Sequence, residues 1–236
     1  MAQSQYILSE LIELALKISE NGKLLVCRDE FLSRPNLVCP TDIEGEKRLE
    51  GICFKKEFRL VDIGKKLLPN VEAVYGKPIV PKLVIGESIH QLHGCIQFFG
   101  DRAETYVIKR NLCWIRFAQV KELMHAYLGV VEEEWNVNRN FENAAKVRSI
   151  QEVDENTLLT DEQAAYFLAL EVLFPFGLRK KQFDRLVDSG ANTYQIAKAY
   201  LVPETAVKLF FDHEYSNYAG ISYRINLEKG GKAFDL

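Results

Sequence analysis

Apolar residues recur at Ile7, Leu8, Leu11, Ile12, Leu14, Ala15 and Ile18. That spacing of three and four predicts a helix over residues 6–19, stopped by Asn21-Gly22. The pattern then loosens. Residues 23–27 read as a short strand, Pro35 and Pro40 interrupt, and residues 43–49 read as helical. Residues 60–71 predict a further helix ending near Pro69, residues 76–81 a loop, and residues 82–85 a short extended piece. Residues 95–99 and 104–109 flank Gly100-Asp101-Arg102 and predict a hairpin. A long helical pattern follows over residues 112–128, with Gly129 as its stop. Residues 132–148 are polar and read as a variable loop or short helix. Thr160-Asp-Glu-Gln163 has the form of a capping box and opens a helix that runs to Phe174 and ends at Pro175. Two or three more helices fill 179–212, and the last twenty residues read as a loop and irregular tail. The class is α+β, mostly helical, with a small sheet before the 112–128 helix.

At about 100° per residue, Phe117, Val120, Met124 and Leu128 centre the buried stripe of that helix. Lys121 and His125 fall beside the stripe, and Glu122 lies further round, toward the polar side. An ammonium turned inward needs a carboxylate partner, or burial must lower its pKa. Glu162 shares a face with Ala165, Tyr166, Ala169 and Leu173 on the next strong helix. If those faces pack, Lys121, His125 and Glu162 meet. The run Lys121-Glu122-Leu-Met-His125 also reads as a zinc-peptidase motif whose first histidine is a lysine. In H-E-x-x-H the two histidines share one helical face and grip a metal, while the glutamate activates bound water.

Composition adds limits. The chain has 236 residues, 47% of them hydrophobic and 27% charged, an ordinary globular balance for one large domain or two small ones. The net charge of −3 gives no global signature of nucleic-acid binding. Cys27, Cys39, Cys53, Cys95 and Cys113 are dispersed, without a C-x-x-C pair, which predicts reduced thiols in a cytoplasmic protein. Neither a signal peptide nor a membrane-spanning segment is expected.

The order of pieces carries a resemblance. Arg116-Phe117 leads into Lys121-Glu122-x-x-His125 and Leu128-Gly129, followed by Glu162-x-x-Ala165, Leu173-Phe174-Pro175 and the helical segment 196–207. Over residues 95–212 this resembles the ImmA/IrrE family of metallopeptidases. The resemblance implies a zincin-like domain over 81–215. It leaves an N-terminal region 1–80 of unknown role, packed on the rest, and a C-terminal tail 216–236. In that family two histidines and the downstream glutamate bind zinc, and the motif glutamate is the general base. Members cleave repressor proteins in phage, mobile-element or stress-response circuits. Carried over, Glu122 matches the base, while His125 and Glu162 match the second and third metal ligands. Lys121 stands where the first ligand should be.

Protonated lysine has no lone pair for zinc, and two protein ligands make a weak site. Three outcomes follow. In the first, no cofactor is held, Lys121 replaces the metal's charge, and the chain is a pseudoenzyme binding a repressor-like regulatory protein. In the second, His90, His93, Cys95 or Cys113 supplies a substitute ligand and the chain is an active zinc peptidase. In the third, deprotonated Lys121 serves as a general base beside Glu122. Separately, residues 193–211 have the spacing of a helix-turn-helix, with Leu201 where a turn glycine is common. That helix pair is the basis of a DNA-binding alternative, although Glu204 and Asp212 make a poor base-reading inventory.

Overall fold

The described residues of the computed structural model are 6–19, 23–27, 59–84, 94–108, 111–129, 159–180, 188, 190–210 and 213–228. The helix expected at 43–49, the segment 132–148, Cys39, Cys53, His90 and His93 lie outside them. The elements in chain order are α1 (Leu8–Ser19), β1 (Leu25–Cys27), β2 (Arg59–Val61), a π-helical turn (Ile63–Leu67) and α2 (Leu68–Tyr75). They continue with β3 (Ile79–Val84), β4 (Gly94–Phe98), β5 (Ala103–Ile108), α3 (Leu112–Tyr127) and α4 (Asp161–Leu173). The last three are α5 (Thr193–Tyr200), α6 (Glu204–Phe210) and α7 (His213–Glu228). The fold is mixed α+β. β1 and β2 pair antiparallel, and a second sheet has the order β3-β5-β4, with β3 parallel and β4 antiparallel to the central β5.

Two helices organise the core. α3 lies against α4, against the β4–β5 hairpin and against α2, so it is enclosed on several sides. Phe117, Val120, Leu123 and Met124 are all buried. A leucine or phenylalanine so placed contributes about 1.5–3 kcal/mol by burial. α4 is buried from Ala164 onward, with only Tyr166 half-buried. Phe117 meets Tyr166 edge to face at 5.1 Å, while Lys121 meets Glu162 one turn along. The pairs run in opposite order, so the two helices are antiparallel where they meet. The stripe of α1 formed by Leu8, Leu11, Ile12 and Ala15 packs on α4 and α7. An N-terminal element thus braces the helix that carries Glu162.

Three segments differ from the reading of the sequence. Residues 60–71 are not one helix. β2 ends at Val61, and the Asp62 side chain accepts a hydrogen bond from Lys65 N, capping a fresh turn. Pro69 sits in the first turn of α2, where its missing N–H costs nothing, and the stop is Gly76 with φ of 81°. Within the expected loop 76–81, β3 already starts at Ile79; Pro81 is tolerated because β3 is an edge strand. The expected tail after 215 is helical to Glu228. Ala219 is buried there, and Gly220 sits so close that an added Cβ would lie 3.1 Å from Phe176. Exposed Ile221 and Ile225 blur the helical pattern that would have announced α7.

The outer face of the larger sheet carries a charge cluster. Glu104 accepts hydrogen bonds from Lys82, from Tyr106 and, at 2.9 Å, from Arg102 Nε. These donors, led by Lys82, depress its pKa to about 2. Its stabilising contribution is therefore present above the ordinary carboxylate pKa and fades as pH falls toward 2. The Glu104→Gln variant should melt below the wild-type protein at pH 6, and the gap should close on acidification. A gap that does not change with pH would remove the ionic contribution. At the far end of α4, Arg179 is buried, donates to Glu171 (2.7 Å) and the Phe174 carbonyl (2.8 Å), and lies over the Phe210 ring. This ties α4 to α6. Among the described residues no helix is long and apolar enough to cross a membrane.

Candidate functional site

The site is set by two well-started helices. α3 begins at Asn111, whose side chain accepts from Trp114 N at 3.1 Å. α4 begins with the capping box expected of Thr160 and Gln163, both of whose reciprocal bonds form. That cap places Asp161 and Glu162 in the first turn, where the exposed N–H groups of the helix favour negative charge. Lys121 and His125, one turn apart on α3, both reach Glu162. Lys121 Nζ donates to Glu162 Oε1 at 2.5 Å, and His125 Nε2 lies 2.9 Å from Glu162 Oε2. A single carboxylate is thus held by an ammonium on one oxygen and an imidazole on the other.

The electrostatics follow from burial opposed by pairing. Burial disfavours the Lys121 ammonium, but the carboxylates of Glu122 and Glu162 outweigh it and hold its pKa above the usual lysine value. Burial likewise disfavours the Glu162 carboxylate, yet Lys121 and His125 hold it well below the ordinary range. Glu162 is therefore ionised and accepts only, so the proton in the His125 contact belongs to Nε2. Neither the lysine nor that ring nitrogen offers a lone pair. A protonated Lys121 also lacks the property required of a general base, which removes support from the third outcome above.

Glu122 departs from its expected place. It is 2% exposed rather than turned to a polar side, because α3 has the sheet on that flank. Its Oε1 lies 3.0 Å from Lys121 Nζ but is not aligned with any hydrogen-bond donor among the described residues. The arrangement has two further members that sequence reasoning missed. Burial raises the pKa of Asp161, with the nearby His125 opposing, and its Oδ1 has no hydrogen-bond partner among the described residues. The signal for it was the acidic pair Asp161-Glu162 just after the cap. Gly94 packs directly against Glu122. No periodicity marks such a residue, because close approach shows only in coordinates.

Compared with known proteins, the chain matches no family model, no curated protein and no solved structure. Chemistry alone must then decide what the cluster can hold. As it stands the donor set does not fit zinc. Lys121 has no free lone pair and places an ammonium among the carboxylates of Glu122 and Glu162, while His125 and Glu162 are engaged with each other.

The substitute ligands fare as follows. Cys95 on β4 is half-buried, and its thiol is pushed up to about 11 by burial and then by Glu122, with Lys121 opposing. It therefore stays a thiol near neutral pH. Cys113 is buried at the start of α3, where its Sγ faces the Ala197 carbonyl at 3.9 Å, away from Lys121. Arg116, part of the motif order, is buried and donates to the Val61 carbonyl at 3.0 Å. Burial lowers its pKa to about 10, so it remains charged. Its place is in the core between α3 and β2. The helix pair α5–α6 forms, and Leu201 takes the left-handed conformation (φ 52°) of a turn glycine. On its outer side, Lys208 pairs with Glu204 at 3.1 Å, which leaves less cationic surface for phosphates.

Proposed function

We propose that this chain is a zincin-like protein of the ImmA/IrrE kind in which an internal ammonium replaces the metal. In this reading it binds a repressor-type regulatory protein in the cytoplasm and does not cleave it with zinc. One observation carries the reading: Lys121 Nζ sits 2.5 Å from Glu162 Oε1 and 3.0 Å from Glu122 Oε1, between the residues that match a metal ligand and a general base. A cation is kept where the resemblance calls for one, and it is covalently part of the chain. Lysine neutralises the carboxylates as zinc would, but it neither polarises a carbonyl nor generates hydroxide at neutral pH. Recognition surfaces can survive that exchange; metal-dependent hydrolysis cannot.

The test is metal content and partner capture together. Protein prepared without a metal-binding tag should carry zinc well below one equivalent, and its binding to a repressor-type protein should survive a chelator. Stoichiometric zinc that disappears in Glu162→Gln would overturn the reading. Peptide hydrolysis abolished both by chelator and by Glu122→Gln would instead establish an active metallopeptidase with a substitute ligand. DNA affinity through α5–α6 is the remaining alternative, and it would show as duplex binding that falls steeply with salt.

A further inference from the structure

Gly94 is the first residue of β4, pairs with Val107 of β5, and is buried. An added Cβ would lie 3.0 Å from the Tyr106 carbonyl oxygen and 3.4 Å from both Cγ and Oε1 of Glu122. Its φ lies outside the left-handed region, so the backbone does not demand glycine here. Closeness does. The Glu122 carboxylate rests against bare backbone, with one oxygen lacking an aligned donor and a single ammonium beside it. Nothing else among the described residues fixes that oxygen by a hydrogen bond.

We propose that Gly94 is a positioning residue: by presenting no side chain, it lets the Glu122 carboxylate lie flat on the end of β4 and so within reach of Lys121. The inference rests on the reading of Lys121, Glu122, His125 and Glu162 as the functional centre. Strand β4, not the helix alone, then sets the carboxylate geometry around the ammonium. An added Cβ would be tight against the Tyr106 carbonyl and in van der Waals contact with Glu122, so a shift that relieves the carbonyl is felt by the carboxylate it touches. Glu122 is the softer of the two, because its side chain can rotate where the ladder cannot.

The full chain, labelled at lysine, can be followed by the NMR signals of the Lys121 side chain together with urea unfolding. Gly94→Ala should move the Lys121 resonance and lower the unfolding midpoint. With Glu122→Ala already in place, the same change should leave the Lys121 resonance nearly still and lose no more than roughly half as much midpoint, as expected for residues in contact. Equal midpoint losses in both backgrounds, or an unmoved Lys121 resonance, would put the whole cost at the Tyr106 carbonyl and overturn the proposal. If Gly94→Ala alone fails to fold, the double variant decides: folded supports the proposal, and unfolded overturns it. The Lys121 signal reads out whether or not zinc or a repressor binds, so failure here is separable from failure of the metal-free reading.

Discussion

Replacing Lys121 with methionine should lower the free energy of unfolding by about 3–5 kcal/mol at neutral pH, the usual cost of stripping one partner from a buried ion pair. Methionine fills much of the same volume, so the loss isolates charge from packing. Glu122 and Glu162 would then face each other without the ammonium that lies 3.0 Å and 2.5 Å from them. His125 alone would remain on Glu162. The pH dependence has a definite sign. Glu162 has a depressed pKa, so its contribution is present above the unfolded carboxylate value of about 4.3 and is lost as pH falls below it. Lys121 has a raised pKa, so its contribution is present below the unfolded value of about 10.4 and is lost as pH rises beyond it. The gap between wild type and Lys121→Met should be widest between those limits and narrow on both sides. Urea unfolding at several pH values measures it. A neutral-pH loss under about 1 kcal/mol, the scale of an exposed pair, would mean water screens the cluster.

How much of this was legible in the sequence depends on how many neighbours each segment has. α3 and α4 were legible because their ends are marked: Gly129 with φ of 70° stops one, and the Thr160–Gln163 box starts the other. The meeting of Lys121, His125 and Glu162 was legible too, since residues one turn apart must share a face and the apolar faces of two helices must be covered. Glu122 was misplaced for the same reason that α3 is central. A helix enclosed by α4, α2 and the hairpin has no polar side to turn to, and a one-stripe reading assigns it one. Pro69 was ambiguous because proline ends one helix as readily as it opens the next, and Asp62 decided between them. Leu201 shows the opposite case, in which tertiary packing of a buried leucine overrides the backbone preference for glycine. Chemical roles are a further step that spacing cannot take. Glu122, His125 and Glu162 would serve a metal or an ammonium alike, and only the identity of residue 121 separates the two.

That identity can be changed. Lys121→His should convert the cluster into a zinc site, with affinity more than about 100-fold above wild type, because a direct ligand outweighs the 10–100-fold that outer-shell partners command. The substitution removes the ammonium from Glu162 Oε1 and supplies an imidazole one helical turn from His125, on the face both residues already share. Two imidazoles and a carboxylate then make three protein ligands with one position open, the usual catalytic zinc arrangement. Zinc at about 100 times its dissociation constant should raise the variant's stability by about 2.7 kcal/mol, offsetting part of the lost ion pair. Calorimetric titration and zinc-dependent melting both measure this, and Glu162→Gln in the same background should abolish it. If the folded variant gains no zinc affinity, then His125 and Glu162 cannot open toward a metal, and the proposed likeness to metallopeptidases fails. If it gains zinc and also hydrolyses peptide bonds in a manner lost with Glu122→Gln, a single codon separates this chain from an enzyme. The ammonium is then a replacement for a metal and not an unrelated core ion pair.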